Sequence, residues 1–245
     1  MIRTLEEYSL NALPALQTML YDGWVLRFGK GYTKRANCVN PIYSSIQDLS
    51  LKIQHCEQLY SEKNLETIFK ITSASIPNSL DSLLEERGYQ IASPASVLGL
   101  ILNQSNQTID ENITYSSTIT EEWLTFFCQF NHIAEHNKLV LQYMLENIIP
   151  HKYIVSLKLD SKTIGCGLGV LQDEYIGLYD IVIDDAYRNQ GYGKKLIANI
   201  LKLGAKAGAK QSYLQVLQKN TPAIKLYTSL GYKEIYQYWY RIKNT

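Results

Sequence analysis

The chain has 245 residues, 46% of them hydrophobic and 19% charged, with a formal net charge of +1. This composition excludes a disordered chain and allows one large domain or two small ones. The near-neutral charge gives no sign of nucleic-acid or membrane-surface binding, and no run of about eighteen apolar residues is present to span a bilayer.

Met1 to Leu10 carries early acids, Glu6 and Glu7, and reads as no signal peptide. Leu5 to Tyr21 has apolar residues at helical spacing, interrupted by Pro14. Asp22-Gly23 turns the chain. Trp24 to Phe28 alternates as a strand, Gly29-Lys30-Gly31 turns, and Tyr32 to Val39 returns, which predicts a hairpin. Arg27, Lys30, Lys34 and Arg35 form a small basic group there, read first as solvated charge and second as a substrate or phosphate contact. The spacing then predicts a helix over 46–60, a strand over 67–72, and a short helix over 80–86 that ends at Gly88. A strand follows over 90–102, with Pro94 at its rim or in a bulge.

Asn103 to Glu111 is polar and reads as a linker. Beyond it the pattern predicts a strand over 112–119 and a helix opened by Thr120, with Trp123, Phe126, Phe127 and Phe130 on its apolar side. A helix over 137–148 and strands over 152–159, 163–171 and 175–183 come next. Gly165, Gly167 and Gly169 alternate on the middle strand, for packing, a bulge or a ligand. A helix runs from Gly191 to about Lys206 and a strand over 212–217. Another helix opens at Asn220-Thr221-Pro222-Ala223, with Thr221 as its expected cap, and a last strand covers 232–242.

The four cysteines, Cys38, Cys56, Cys128 and Cys166, are scattered, with no metal-site spacing, and read as reduced thiols in a cytoplasmic protein. No metal is expected. The nineteen tyrosines read first as packing residues, with groove lining as the other possibility.

The most informative stretch is Asp184-Asp185-Ala186-Tyr187-Arg188-Asn189-Gln190-Gly191-Tyr192-Gly193-Lys194-Lys195, set between a strand and a helix. The first N–H groups of a helix lack intrahelical partners and sit at the positive end of its dipole, so the terminus suits an anion. Two glycines let the backbone turn tightly and a ligand come close. A Walker loop is excluded, because Lys195 follows Gly193-Lys194 and position 188 is not glycine. A dinucleotide fingerprint is excluded because Leu196 stands where its third glycine would be.

Arg188-Asn189-Gln190-Gly191-Tyr192-Gly193 resembles the Gln/Arg-x-x-Gly-x-Gly/Ala signature of the GCN5-related N-acetyltransferase (GNAT) superfamily. Asn220 to Tyr232 resembles that superfamily's later motif, Asn-x-x-Ala-x-x-Leu-Tyr-x-x-x-Gly-Phe/Tyr. Two motifs in order, covering about Ile113 to Lys243, are far more specific than either alone. One departure is Asp184-Asp185, where the family often has a proline before the arginine.

The resemblance implies an α/β fold: a mixed, mostly antiparallel twisted sheet with flanking helices. Leu83 to Tyr89 also resembles Leu226 to Tyr232, which suggests two similar lobes. The first, residues 1–103, would be degenerate: Leu84 stands in the place of Tyr227, and Asn40 to Ser45 offers no glycine loop. Residues 112–245 would be the catalytic lobe. The implied activity is transfer of an acetyl group from acetyl-CoA to a primary amine of a small molecule or peptide by direct attack. A ribosomal-protein type of acetyltransferase and a non-catalytic acyl-CoA sensor are the alternatives. No nucleic-acid or membrane partner is expected.

By the same resemblance Tyr227 is the general acid, Asn220 meets the pantetheine arm, and the loop Arg188, Asn189, Gln190, Gly191, Tyr192, Gly193 and Lys194 holds the pyrophosphate. Ile181, Val182 and Ile183 are the strand residues beside the thioester, with the N–H near Val182 or Ile183 facing the oxyanion. Asp180 or Glu174, directly or through water, would take the proton from the ammonium.

Overall fold

A computed structural model describes residues 1–103 and 108–243. Gln104 to Gln107, within the linker predicted at Asn103 to Glu111, lie outside the described residues.

In chain order the elements are α1 (Ile2–Ala12), β1 (Gln17–Tyr21), β2 (Trp24–Phe28), β3 (Val39–Asn40), α2 (Leu49–Ser61), β4 (Ile68–Thr72), α3 (Leu80–Glu86) and β5 (Gln90–Ile101). The second half contributes β6 (Ile113–Ser116), α4 (Glu121–Phe130), α5 (Glu135–Glu146), β7 (His151–Leu159), β8 (Lys162–Gln172) and β9 (Tyr175–Ile183). It ends with α6 (Tyr192–Lys206), β10 (Gln211–Leu217), α7 (Thr221–Ser229) and β11 (Lys233–Ile242).

Among the described residues eleven strands form one sheet in the order β1-β2-β3-β4-β11-β5-β10-β9-β8-β7-β6. Most pairs are antiparallel; β3 with β4 and β9 with β10 are parallel. A parallel pair needs a crossover, and α2 and α6 supply the two crossovers. The order is nearly symmetric about the central antiparallel pair of β5 and β11. On one side β4 borders β11; on the other β10 borders β5. Each half thus sends its last strand into the other half's side of the sheet. The division at 103 and 112 marks two halves of the chain, but the sheet runs through both.

Three sequence expectations are corrected. The helix expected over Leu5 to Tyr21 stops at Ala12, and Gln17–Tyr21 is a strand. Proline has no N–H to donate and restricts the residue before it, so the helix ends ahead of Pro14. The hairpin pairs β1 with β2 around Asp22-Gly23, whose φ values of 41° and 80° suit a two-residue turn between twisted strands. The returning strand shrinks to Val39–Asn40, and Tyr32 to Asn37 forms a loop with a short 3-10 turn. Finally, Asn220 rather than Thr221 caps α7, its side chain accepting from the N–H of Ala223 at 3.2 Å. Thr120 caps α4 as expected, accepting from Trp123 N–H at 3.1 Å.

Packing follows the pattern of apolar faces. Trp123, Leu124 and Phe127 of α4 and Leu141 and Leu145 of α5 join one core cluster with Ile154 and Leu168 of the sheet. Leu196, Ile197, Ile200 and Leu203 of α6 join a second with Leu157, Ile164, Ile176 and Leu178. The alternating glycines of β8 serve this packing: a Cβ on Gly169 would lie 2.6 Å from Ile200 Cγ2, and one on Gly165 2.5 Å from Ile183 Cδ1. Helix α1 is tied to the sheet by a buried charge pair. Lys70 Nζ lies 2.5 Å from Glu6 Oε2, and Tyr236 donates to Glu6 Oε1 at 2.7 Å.

Among the described residues no helix is long and apolar enough to cross a membrane, and no group of three metal-ligating side chains is present.

Candidate active site

The site begins where two parallel strands part. β9 and β10 pair from Tyr175 with Gln211 to Leu178 with Leu214, and no further. β10 goes on pairing with β5 as far as Leu217. β9 stays on β8, with Val182 opposite Cys166 and Ile183 opposite Gly165. Between Tyr179 and Val182 the register on β8 shifts by an extra residue. This bulge re-aims the strand, and Asp180 within it has a left-handed φ of 52°. Only the edges that face each other across the opening have no strand partner there.

A cavity of 630 Å³ fills the opening. Leu178 to Ile181 form one wall and Gln215 to Leu217 another. Asn220, Ala223 and Tyr227 come from the loop and helix after β10. The first half closes the cavity with Gly31 to Arg35, and β11 adds Tyr238 and Tyr240. Four sequence-predicted residues, Asp180, Ile181, Asn220 and Tyr227, therefore line one cavity. Val182 and Ile183 are buried in the strand beside it.

Tyr227 is only partly buried, and its ring stands edge-on to Tyr232 with centroids 5.8 Å apart. Burial pushes its phenol up to about 12, so it carries its proton throughout the physiological range. Asp180 Oδ2 is buried with no hydrogen-bond partner among the described residues. Burial raises the Asp180 carboxyl above the ordinary carboxylate range, and the positive charge of Arg35 partly opposes this. Glu174 does not belong here. It stands in the turn before β9, ion-paired with Lys210, at the opposite end of the strand from Ile183. It is set aside as a base.

The predicted phosphate loop lies just past the end of β9. Asp184 caps a short 3-10 turn, and Arg188 is tied back by its Nε to the Ile183 carbonyl at 3.1 Å and by Nη2 to Asp185 at 2.6 Å. Asn189 and Gly191 are both left-handed, with φ of 61° and 85°, a curl that turns successive N–H groups inward. Gln190 donates to the Ala186 carbonyl at 3.3 Å. Helix α6 then starts at Tyr192 with no side-chain cap and no acid in its first turn. The N–H groups of Tyr192, Gly193 and Lys194 are left for an outside acceptor. Around Gly191 there is open space, and Gly193 abuts Leu226 of α7 and Ile183. Lys194 is exposed, whereas Lys195 is paired with Asp110 at 3.0 Å.

The corresponding crossover of the first half is closed by the protein's own carboxylates. Asp48 caps α2, accepting from Leu51 N–H at 3.0 Å. Asp22 accepts from the N–H groups of Ile46 at 3.2 Å and Gln47 at 3.1 Å, and its carboxyl is held well below the usual range, chiefly by the hydroxyl of Ser45. One crossover helix starts without a side-chain cap, and the other is capped by Asp48 with Asp22 holding the loop ahead of it.

The family comparison decides the class. Residues 1–241 match the family described as probable histone acetyltransferase Rv0428c C-terminal. The chain belongs to that family. It is a GNAT-superfamily acyltransferase. An uncharacterised N-acetyltransferase of Bacillus subtilis, YobR, is 26% identical over 99% of this chain and 98% of its own. A ribosomal protein bS18 alanine N-acetyltransferase of Haemophilus ducreyi is 38% identical, over 24% of this chain and 40% of its own. A GCN5-related N-acetyltransferase from Kribbella flavida shares the fold with a TM-score of 0.73 at 13% identity, covering 99% of this chain and 95% of that one.

Among the cavity residues, Tyr238 and Tyr240 were not singled out from the sequence, and Arg35 was only one of four basic residues. The alternation of Tyr236, Tyr238 and Tyr240 placed them on one strand face, but nothing in it showed that this face borders the opening of another strand pair. Arg27, grouped with Arg35 in the basic stretch, is buried and donates to the carbonyls of Leu13 and Arg35. It is a structural residue.

Proposed function

We propose that the protein transfers an acetyl group from acetyl-CoA to a primary amine held in the cavity between β9 and β10. The observation that carries this reading is the uncapped start of α6 beside a splayed strand pair whose opening holds both an orphaned carboxylate and a partly buried phenol. The residues fit the donor. Tyr192, Gly193 and Lys194 offer N–H groups to a pyrophosphate, aided by the dipole of α6. The unpaired edge of β9 over Ile181, Val182 and Ile183 offers backbone groups to the pantetheine arm and to the developing oxyanion. Asn220 spends Oδ1 on its cap and leaves its Nδ2 for the arm.

The proton route uses the cavity wall. An amine enters as an ammonium and must lose a proton before its lone pair can attack the thioester carbonyl. Asp180 is the acceptor of that proton, and its raised pKa brings it closer to working pH than an ordinary aspartate. As the C–N bond forms and the C–S bond breaks, Tyr227 gives its proton to the departing sulfur, and the second proton of the attacking nitrogen leaves to the Tyr227 phenolate, restoring the neutral phenol and the neutral amide. A neutral phenol is the form required, and burial keeps it so.

The test is release of the free thiol from acetyl-CoA in the presence of a panel of primary amines. Amine-dependent release above the hydrolytic background supports the proposal. Binding of acetyl-CoA with no release for any amine would favour a sensor. The likeness to a bS18 alanine acetyltransferase spans too little of the chain to nominate that acceptor.

A further inference from the structure

We infer that the acceptor is an amine that also carries a carboxylate, gripped by Arg35 from the first half of the chain while Asp180 receives its amino group. This rests on the reading of Asp180 as the proton acceptor in the same cavity.

The loop bearing Arg35 is built to hold still. Asn37 Oδ1 accepts from the N–H groups of Gly29 at 2.7 Å and Gly31 at 2.9 Å, and its Nδ2 donates to the Thr33 carbonyl at 2.8 Å. The buried guanidinium of Arg27 donates to the Arg35 carbonyl at 2.5 Å. The main chain at Arg35 is thus pinned from below. Its side chain, by contrast, makes no hydrogen bond and no ion pair among the described residues, although it lies on the cavity wall and is partly buried. A guanidinium has five N–H donors in a planar fork suited to a carboxylate.

Two further groups lining the same cavity are left unsatisfied among the described residues. Asp180 Oδ2 and the Tyr240 hydroxyl are both buried without a partner. Tyr240 is 3% exposed. Buried polar atoms are rarely left unpaired, and an orphan at a cavity marks the place of a missing partner. Arg35 and Asp180 sense each other's charge, yet no ion pair joins them. The cavity therefore presents one cation and one anion that form no ion pair, together with a buried hydroxyl. Lys34 and Glu66, both exposed, repeat the same balance at the rim. A molecule with an amino group and a carboxylate satisfies all three orphans: the amine meets Asp180, the carboxylate takes the Arg35 fork, and Tyr240 donates to it. An amine without a carboxylate leaves Arg35 and Tyr240 desolvated and unpaired. Sites of this kind discriminate strongly against the incomplete ligand.

The experiment is equilibrium binding to the full chain with CoA present. The probes are glycine, β-alanine, γ-aminobutyrate and lysine, each beside its carboxamide and its decarboxylated amine. At least one carboxylated probe is expected to bind tenfold or more tighter than both of its partners. Arg35→Met is expected to lower that probe's affinity at least tenfold and to lower the decarboxylated amine's less than about threefold. Arg35→Lys, which keeps the charge but not the fork, is expected to fall between, and acetyl-CoA titration checks that each variant is folded. The proposal is overturned if no carboxylated probe exceeds its carboxamide, or if Arg35→Met weakens all three members of a set alike. Acetyl transfer is followed on the same panel. Carboxylate-selective binding without transfer would remove the catalytic roles of Asp180 and Tyr227 and leave the binding inference standing.

Discussion

Leu84 and Tyr227 hold equivalent places in the two halves of the chain. Each accepts at its carbonyl from the N–H of a buried tyrosine five residues on: Tyr89 to Leu84 at 2.9 Å, and Tyr232 to Tyr227 at 3.1 Å. In both cases the intervening glycine, Gly88 or Gly231, is left-handed, with φ of 86° and 93°. The backbone is thus repeated and the side chain is not. Leu84 is fully buried in the first-half core, whereas Tyr227 reaches the cavity.

The contrast predicts the effect of Tyr227→Phe. The hydroxyl makes no hydrogen bond among the described residues, so its removal should barely alter stability. Turnover is expected to fall about 100-fold or more, the usual yield of a positioned general acid. Acetyl-CoA affinity should change less than about threefold, since the donor is held elsewhere. Steady-state kinetics beside a binding titration separates the two. Unchanged turnover removes Tyr227 from the mechanism.

Asp180→Asn should trade activity for stability. A carboxyl whose folded pKa lies above its unfolded value destabilises the fold once it is ionised. The penalty is absent below the unfolded value near 3.8, grows as pH rises from there toward the folded pKa, and is complete and constant above it. Thermal unfolding of Asp180→Asn against wild type should therefore show a higher Tm at pH 7, with the difference shrinking toward pH 4. The low-pH limb of kcat/KM should disappear with the activity. A variant less stable than wild type at pH 7 would mean that Asp180 has a protein partner in the folded state.

The Glu6 and Lys70 pair is a test of the fold rather than the site. Each residue is nearly solvent-free, and Lys70 also lies 4.1 Å from the centre of the Tyr238 ring. Glu6→Gln or Lys70→Met alone leaves a buried charge unmatched, at a cost of about 3–5 kcal/mol. The double variant should lose less than the sum of the two. Chemical denaturation of all four proteins forms the cycle; additive losses would mean that the pair is not coupled.

The exchanged strands predict what a dissected protein does. We propose the halves 1–103 and 112–245 as ancestral units, but the second alone lacks β5, which separates β10 from β11. Its β10 edge would be bare, an invitation to aggregation. The fragment from Asn112 should be insoluble or molten alone and recover when co-expressed with residues 1–103. A soluble, cooperatively unfolding fragment would show that β11 can take the place of β5.

Much of this was readable in the residues because local chemistry sets it. Capping at Thr120, the glycine loop, and the apolar face of α6 follow from spacing alone. The β9 boundaries coincide with the apolar run from Tyr175 to Ile183. What could not be read depends on partners far along the chain. Gln17 to Tyr21 becomes a strand only because β2 lies beside it, and its own side chains are mostly exposed. The short returning strand at Val39 is fixed by β4, and the seat of β11 by the other half's β4 and β5. Arg35 could be listed as one of four basic residues, but its role needed the distance in space between the loop and Asp180. Asn220 shows the reverse limit: Asn and Thr are both good caps, and only the geometry chose between them.

The central claim is that the start of α6 holds the acyl donor. Calorimetric titration of acetyl-CoA into wild type and into the Gly191→Asp, Gly193→Asp double variant tests it most directly. Wild type should bind with one-to-one stoichiometry, and the variant, with two carboxylates at the anion site and side chains forced on a left-handed position and on Leu226, should show no measurable binding. Equal binding by the folded variant, or none by wild type, would contradict the account.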